Sequence, residues 1–98
     1  MRTAQLEVRY LASPLAHVRI GVIVPRYGHT AVARNVVKRR LRDLARRELL
    51  PVLAGAHAVV DVVIRATPSA YAVSHETLRA ALQRVVLQLP HAAAGEGQ

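Results

Sequence analysis

The 98-residue chain has no cysteine, which excludes disulfides and cysteine-ligated zinc. It has no phenylalanine and no tryptophan, and three tyrosines are its whole aromatic stock. A core must therefore be built from small aliphatic side chains, largely Ala and Val. Hydrophobic residues still make up 52 % of the chain, enough for a folded domain rather than a disordered segment. No apolar run approaches the ~20 residues that cross a bilayer. The opening MRTAQLEVRYLAS lacks the apolar centre of a signal peptide. No membrane association and a cytoplasmic location are expected.

Acidic residues are also scarce. Six Asp and Glu stand against 14 Lys and Arg, a net charge of +8. That excess favours a polyanionic partner, with nucleic acid ahead of a membrane surface. Lysine is nearly absent too: Lys38 is the only one, and the other basic residues are Arg. Arginine's planar fork pairs with phosphate and stacks on bases, which suits RNA. A GC-rich genome would also raise Arg, but it does not account for the net charge.

Catalytic constellations are missing. His17, His29, His57, His75 and His91 are scattered, and no two have metal-ligand spacing on one element. Asp61 and Glu76 have no paired carboxylate nearby for acid–base work. Gly28 stands alone, so there is no phosphate-cradling loop, and Thr67, Ser69 and Ser74 read as turn and cap residues. No small-molecule substrate and no cofactor held by the protein alone are expected.

Hydropathy patterning gives the order β-β-α-β-α in one domain spanning 1–98. Leu6, Val8 and Tyr10 alternate with Glu7 and Arg9 in a first strand over 5–11. Ser13-Pro14 marks a turn, and residues 17–25 form a second strand with Val18, Ile20, Val22 and Val24 on one face. The short link predicts an antiparallel hairpin. Thr30 caps a helix over about 31–50, closed by Pro51 and Gly55. A third strand over 58–66 turns Val60, Val62 and Ile64 to the core. Ser74 caps a last helix over 75–89, with Leu78, Leu82, Val85, Val86 and Leu89 inward; Pro90 stops it, leaving 91–98 as a flexible tail. The fold class is α+β: a small α-β sandwich with a three- to four-stranded sheet and helices on one face. The other face is then open, and Arg9, Arg19 and Arg65 fall on the strand registers that would line it. A solvated strand face would carry such charges as well.

The charge is concentrated. Residues 34 to 47 hold seven basic residues and one acid, Asp43, for a net +6. On a helical wheel Val37, Leu41, Leu44 and Ala45 form the inward side. Arg34, Lys38, Arg42 and Arg46 recur every four residues in an outward line, with Asn35 and Arg39 beside it and Arg40 and Arg47 on the far flank. Like charges at this spacing repel by a few tenths of a kcal/mol per pair, and a partner bearing phosphates offsets that. Backbone N–H groups at the helix start add an attraction for phosphate. Asn35 can donate and accept, so it can meet a 2′-hydroxyl or a base edge. A merely solvated face would mix Glu with Lys. A membrane-surface helix would need a bulkier apolar stripe.

The segment GVIVPRYGHTAVARNVVKRRLRDLAR resembles the signature of the protein subunit of bacterial ribonuclease P, an RNRxKRRxRE helix preceded by a Gly-containing loop after a strand. DVVIRATPSAYAVSHETLRAALQRVV is similar to that family's later strand, loop and closing helix, so the resemblance runs from about Leu6 to Leu89. It implies a subunit that binds a catalytic RNA and assists removal of the 5′ leader from precursor tRNA, making it part of an endoribonuclease whose chemistry resides in the RNA with Mg2+. The implied RNA contacts are Arg34, Asn35, Lys38, Arg39 and Arg42, to which the charge line adds Arg46. Arg9, Arg19 and Arg65 would contact the leader. The family fold also implies a left-handed crossover between parallel strands, opposite to the general rule. Two departures stand out. Val36 occupies a motif position that is usually Arg, with Arg40 and Arg46 placed to compensate. The chain also opens almost directly on its first strand, where relatives carry an aromatic helix beside the leader cleft. Tyr10 is then the only aromatic on the strand nearest that cleft, and its register turns it to the core. Two other readings fit the basic helix: a structural RNA-binding protein, such as a ribosomal or assembly factor, and a duplex-DNA module, which would need a free helix and usually a dimer.

Overall fold

The computed structural model describes residues 1–12, 18–54 and 60–96, with side chains through residue 88. Three strands form one sheet: β1 (Leu6–Ala12), β2 (Arg19–Ile23) and β3 (Val60–Ala66). Helix α1 (Ala31–Leu44) continues through a π-helical segment (Ala45–Leu49) into the short α2 (Leu50–Ala54), and α3 (His75–Glu96) closes the chain. Several expected features lie outside the described residues: the Ser13-Pro14 turn, Gly55, the first residues assigned to the second and third strands, and the Leu89 side chain.

The expected hairpin is not formed. The strand order is β1-β3-β2, with β3 antiparallel to β1 and parallel to β2. β3 carries Val60, Val62, Val63 and Ile64, a run rich in β-branched residues, and takes the doubly paired centre. β1 and β2 carry Glu7, Arg9 and Arg19 and serve as edges, where charge deters further pairing. The link from Ala12 to Arg19 is also longer than the 2–5 residues of common hairpin loops. The parallel β2–β3 pair needs a long crossover, which α1 and α2 supply.

The registers sort the side chains as their alternation predicts. On one face Val8, Ile64 and Val22 are in line, as are Tyr10, Val62 and Ile20, with Leu6 opposite Ala66. This face meets Val37, Leu41, Leu44 and Ala45 of α1 and its extension, and Leu78, Ala81, Leu82 and Val85 of α3, in one buried cluster. Tyr10 packs against it, as its register implied. On the opposite face three rows lie side by side: Glu7–Arg65–Ile23, Arg9–Val63–Gly21 and Leu11–Asp61–Arg19. Among the described residues no helix covers them, and Val63 at the centre is 38 % exposed.

Both caps form as expected. The Thr30 hydroxyl accepts from the Ala33 N–H at 3.1 Å, and the Ser74 hydroxyl from the Thr77 N–H at 3.2 Å. Neither proline ends its helix. Pro51 lies within α2, because the π-helical turn before it takes up the slack. There the Leu50 N–H bonds the Ala45 carbonyl, one residue further back than in an α-helix, which eases the clash a proline ring makes with the preceding turn. The backbone of α3 likewise passes Pro90 and runs to Glu96.

Candidate nucleic-acid interface

Helix α1 presents its apolar stripe to the sheet, with Val37, Leu41 and Leu44 buried. Its opposite side is an open groove of about 630 Å³ lined by Asn35, Lys38, Arg39, Arg42, Asp43 and Arg46. Five of the six residues expected to contact RNA are thus brought together on one surface.

Arg34 is the exception. It is half-buried, and its Nε donates to the Val24 carbonyl at 2.9 Å while Nη1 donates to Asn35 Oδ1 at 3.2 Å. The wheel explains this departure from the outward line. Residues four apart on an α-helix drift by about 40°, so a row running from 34 to 46 is slanted. Its first member falls at the edge of the stripe that holds Leu41 and Ala45. Helical side chains also lean toward the N-terminus, which carries the guanidinium back to the end of β2. Arg34 therefore clamps the helix start to the strand. It also occupies the Asn35 carbonyl oxygen, leaving the Asn35 amide N–H groups as donors to the groove.

Asp43, also in the groove wall, pairs with Arg46 at 3.1 Å and Arg47 at 3.4 Å. Exposed pairs of this kind contribute roughly 0–1 kcal/mol. Among the described residues Lys38, Arg39, Arg40 and Arg42 have no ion-pair partner. Arg40 lies outside the groove. Val36 is half-buried and is not among the residues that line the groove.

The open sheet face forms a second concavity, of about 740 Å³. It is less cationic than expected. Arg19 is held by Asp61 in a bidentate pair at 3.0 and 2.6 Å, and this hydrogen bonding raises the Arg19 pKa. Glu7 accepts from Arg2 at 2.9 Å and from Arg9 at 3.3 Å. The Arg2 hydrogen bond is the largest of the influences that hold the Glu7 carboxyl below its ordinary value. Of the three arginines expected on this face, Arg65 alone has no ion-pair partner among the described residues.

Tyr27, from outside the strands, lines this cleft together with Tyr10. The chain turns at Arg26–His29, where the His29 N–H bonds the Arg26 carbonyl and both Tyr27 (φ 48°) and Gly28 (φ 85°) are left-handed. This turn brings the Tyr27 hydroxyl to the Ala66 carbonyl at 2.9 Å, at the end of β3. The partnership spans 39 residues, and no local pattern announces it.

Residues 1–90 match the family model described as Ribonuclease P. This chain belongs to the ribonuclease P protein family. It is 37 % identical over 79 residues to the Ribonuclease P protein component of Thermus scotoductus, covering 81 % of this chain and 46 % of that one. It is 39 % identical over 80 residues to the component from Mycolicibacterium paratuberculosis, covering 82 % and 61 %. The chain thus spans only about half to three-fifths of the length of these curated relatives. Among solved structures, the RNase P protein from Thermotoga maritima superposes with a TM-score of 0.72 at 22 % identity, over 88 % of this chain and 78 % of that one. The Staphylococcus aureus RNase P protein gives 0.72 at 22 % identity, over 91 % and 77 %. The family's α+β fold is therefore present here.

Proposed function

We propose that this chain is the protein component of ribonuclease P, which binds the catalytic RNA subunit and assists removal of the 5′ leader from precursor tRNA. The observation that carries the reading is the α1 groove, where Lys38, Arg39 and Arg42 stand together without an ion-pair partner among the described residues, the one acid of the wall, Asp43, being paired with Arg46 and Arg47. Bringing phosphates to such a face relieves the repulsion along the helix and releases counterions from the RNA. The names of the curated relatives support the same assignment.

In this reading Asn35, Lys38, Arg39, Arg42 and Arg46 contact the catalytic RNA, and Arg34 holds the helix that presents them. The open sheet face takes the leader strand. Arg65 meets a phosphate there, while Arg9 and Arg19 become available if RNA displaces their carboxylate partners. Cleavage itself belongs to the RNA with Mg2+. No step of the cleavage is assigned to the protein's own side chains in this reading. The complex works in the cytoplasm; among the described residues no helix is long and apolar enough to cross a membrane.

The test is reconstitution. The protein is combined with its cognate catalytic RNA and a precursor tRNA at a magnesium concentration too low for the RNA alone. Faster leader removal is expected; an unchanged rate would sink the assignment.

A further inference from the structure

A chain with three tyrosines and no other large aromatic residue places two of them, with His29, at a single corner where β2 leads into α1. The His29 and Tyr71 rings are stacked, with centroids 4.0 Å apart and planes 2° from parallel. Tyr27 stands edge-on to Tyr71 at 6.3 Å and 89°. Both tyrosines are pinned by their hydroxyls, Tyr71 to the Pro25 carbonyl at 2.5 Å and Tyr27 to the Ala66 carbonyl at 2.9 Å. The rings are thus ordered before any partner arrives, which lowers the entropic cost of binding.

Packing alone does not account for the cluster. Tyr27 is 40 % exposed and His29 is exposed, so neither ring fills a core. One face of His29 lies on Tyr71, and the residue as a whole is exposed, so the second face is the one left for a partner. Tyr27 sits in the left-handed region, which strains a bulky residue and which glycine or asparagine would occupy more easily. The position therefore keeps a ring at a conformational cost. The exposed Arg26 adjoins it in the chain, and α1, which carries the cationic groove, starts two residues after His29.

A flat, open aromatic face beside cations, on an RNA-binding protein, is what an unpaired nucleobase stacks on. We propose that His29, backed by Tyr71 and flanked by Tyr27, is a stacking site for one unpaired base of the RNA. The inference rests on the RNA-binding role proposed above. The base can come from the catalytic RNA or from the leader, and the experiment separates the two.

His29→Ala, His29→Phe and Arg42→Ala proteins are compared in two arms: binding to the catalytic RNA alone, and binding of the assembled holoenzyme to precursor tRNA with and without its leader. His29→Ala should weaken one arm by roughly 5- to 150-fold, the range for loss of a single base stack. His29→Phe should restore it. Loss in the first arm assigns the base to the catalytic RNA; loss in the second, only when the leader is present, assigns it to the leader. An abasic nucleotide at the position concerned should reproduce the loss and make His29→Ala silent. If His29→Ala stays within twofold of the parent in both arms while Arg42→Ala weakens binding, the stacking site is wrong and the RNA-binding role stands. If Arg42→Ala is silent too, the α1 interface itself fails and the stacking site with it. Failure of His29→Phe to restore binding would show that the imidazole nitrogens, not the ring face, are used, and would overturn stacking.

Discussion

Arg34 and Arg42 lie two helical turns apart, yet the structure gives them different work, and the salt dependence of RNA binding separates them. Arg42 is exposed in the groove without an internal partner among the described residues. If it meets one phosphate, Arg42→Ala should flatten the slope of log affinity against log salt by about 0.7–0.9. Over a fourfold rise in salt, parent and variant affinities would then converge by roughly threefold. Arg34 instead donates to the Val24 carbonyl and to Asn35. Arg34→Ala should leave the slope unchanged. Its cost falls on stability, about 0.5–1.5 kcal/mol for a hydrogen bond of this kind. In a domain of this size that lowers the melting temperature by roughly 4–8 °C per kcal/mol. The assay is filter binding to the catalytic RNA at several salt concentrations, with a thermal melt of each variant. A slope flattened by Arg34→Ala as much as by Arg42→Ala would refute the inward placement of Arg34.

Three further outcomes follow from the packing and the caps. Leu41 is fully buried between α1 and the sheet, so Leu41→Ala should lose about 2–5 kcal/mol in urea unfolding. Thr30→Ala removes the acceptor for the Ala33 N–H and should cost about 0.5–2 kcal/mol, with RNA binding reduced only as far as the helix start frays. The Glu7 carboxyl is held below its ordinary value of 4.5, chiefly by the Arg2 hydrogen bond. A depressed carboxyl contributes stability that is full above the unfolded-state pKa and is lost as pH falls through the lower folded-state value. Glu7→Gln should therefore lose less stability than the parent on acidification below pH 4.5, read from melting temperatures across that range.

Much of this fold was legible in the sequence. Period-two alternation placed Leu6, Val8, Tyr10, Ile20, Val22, Val60, Val62 and Ile64 on the core side and passed over the buried Ala66, and the stripe of Val37, Leu41, Leu44 and Ala45 is buried as the wheel required. Pairing was less legible, because alternation tells which way a side chain faces but not which strand lies alongside. The prolines misled because a helix can continue past one: a π-helical turn precedes Pro51, and the α3 backbone runs beyond Pro90 to Glu96. In the site, Lys38, Arg39, Arg42 and Arg46 were readable from spacing. Arg34 needed the 40° drift of a four-residue row to be followed back to the edge of the buried stripe. The pairing of Arg19 with Asp61 joins residues 42 positions apart, and it becomes visible only once β2 is known to lie beside β3. The corner of Tyr27, His29 and Tyr71 is a product of tertiary structure in the same way.

The central claim is that the open side of α1 rests on the catalytic RNA. A photo-crosslinking amino acid placed at Arg39, in the groove, tests it directly against the same group at Arg84, exposed on α3 and outside that groove. The account predicts a strong adduct to the catalytic RNA from position 39, competed away by unlabelled parent protein, and little from position 84. Equal adducts from both positions, or a stronger one from 84, would contradict it.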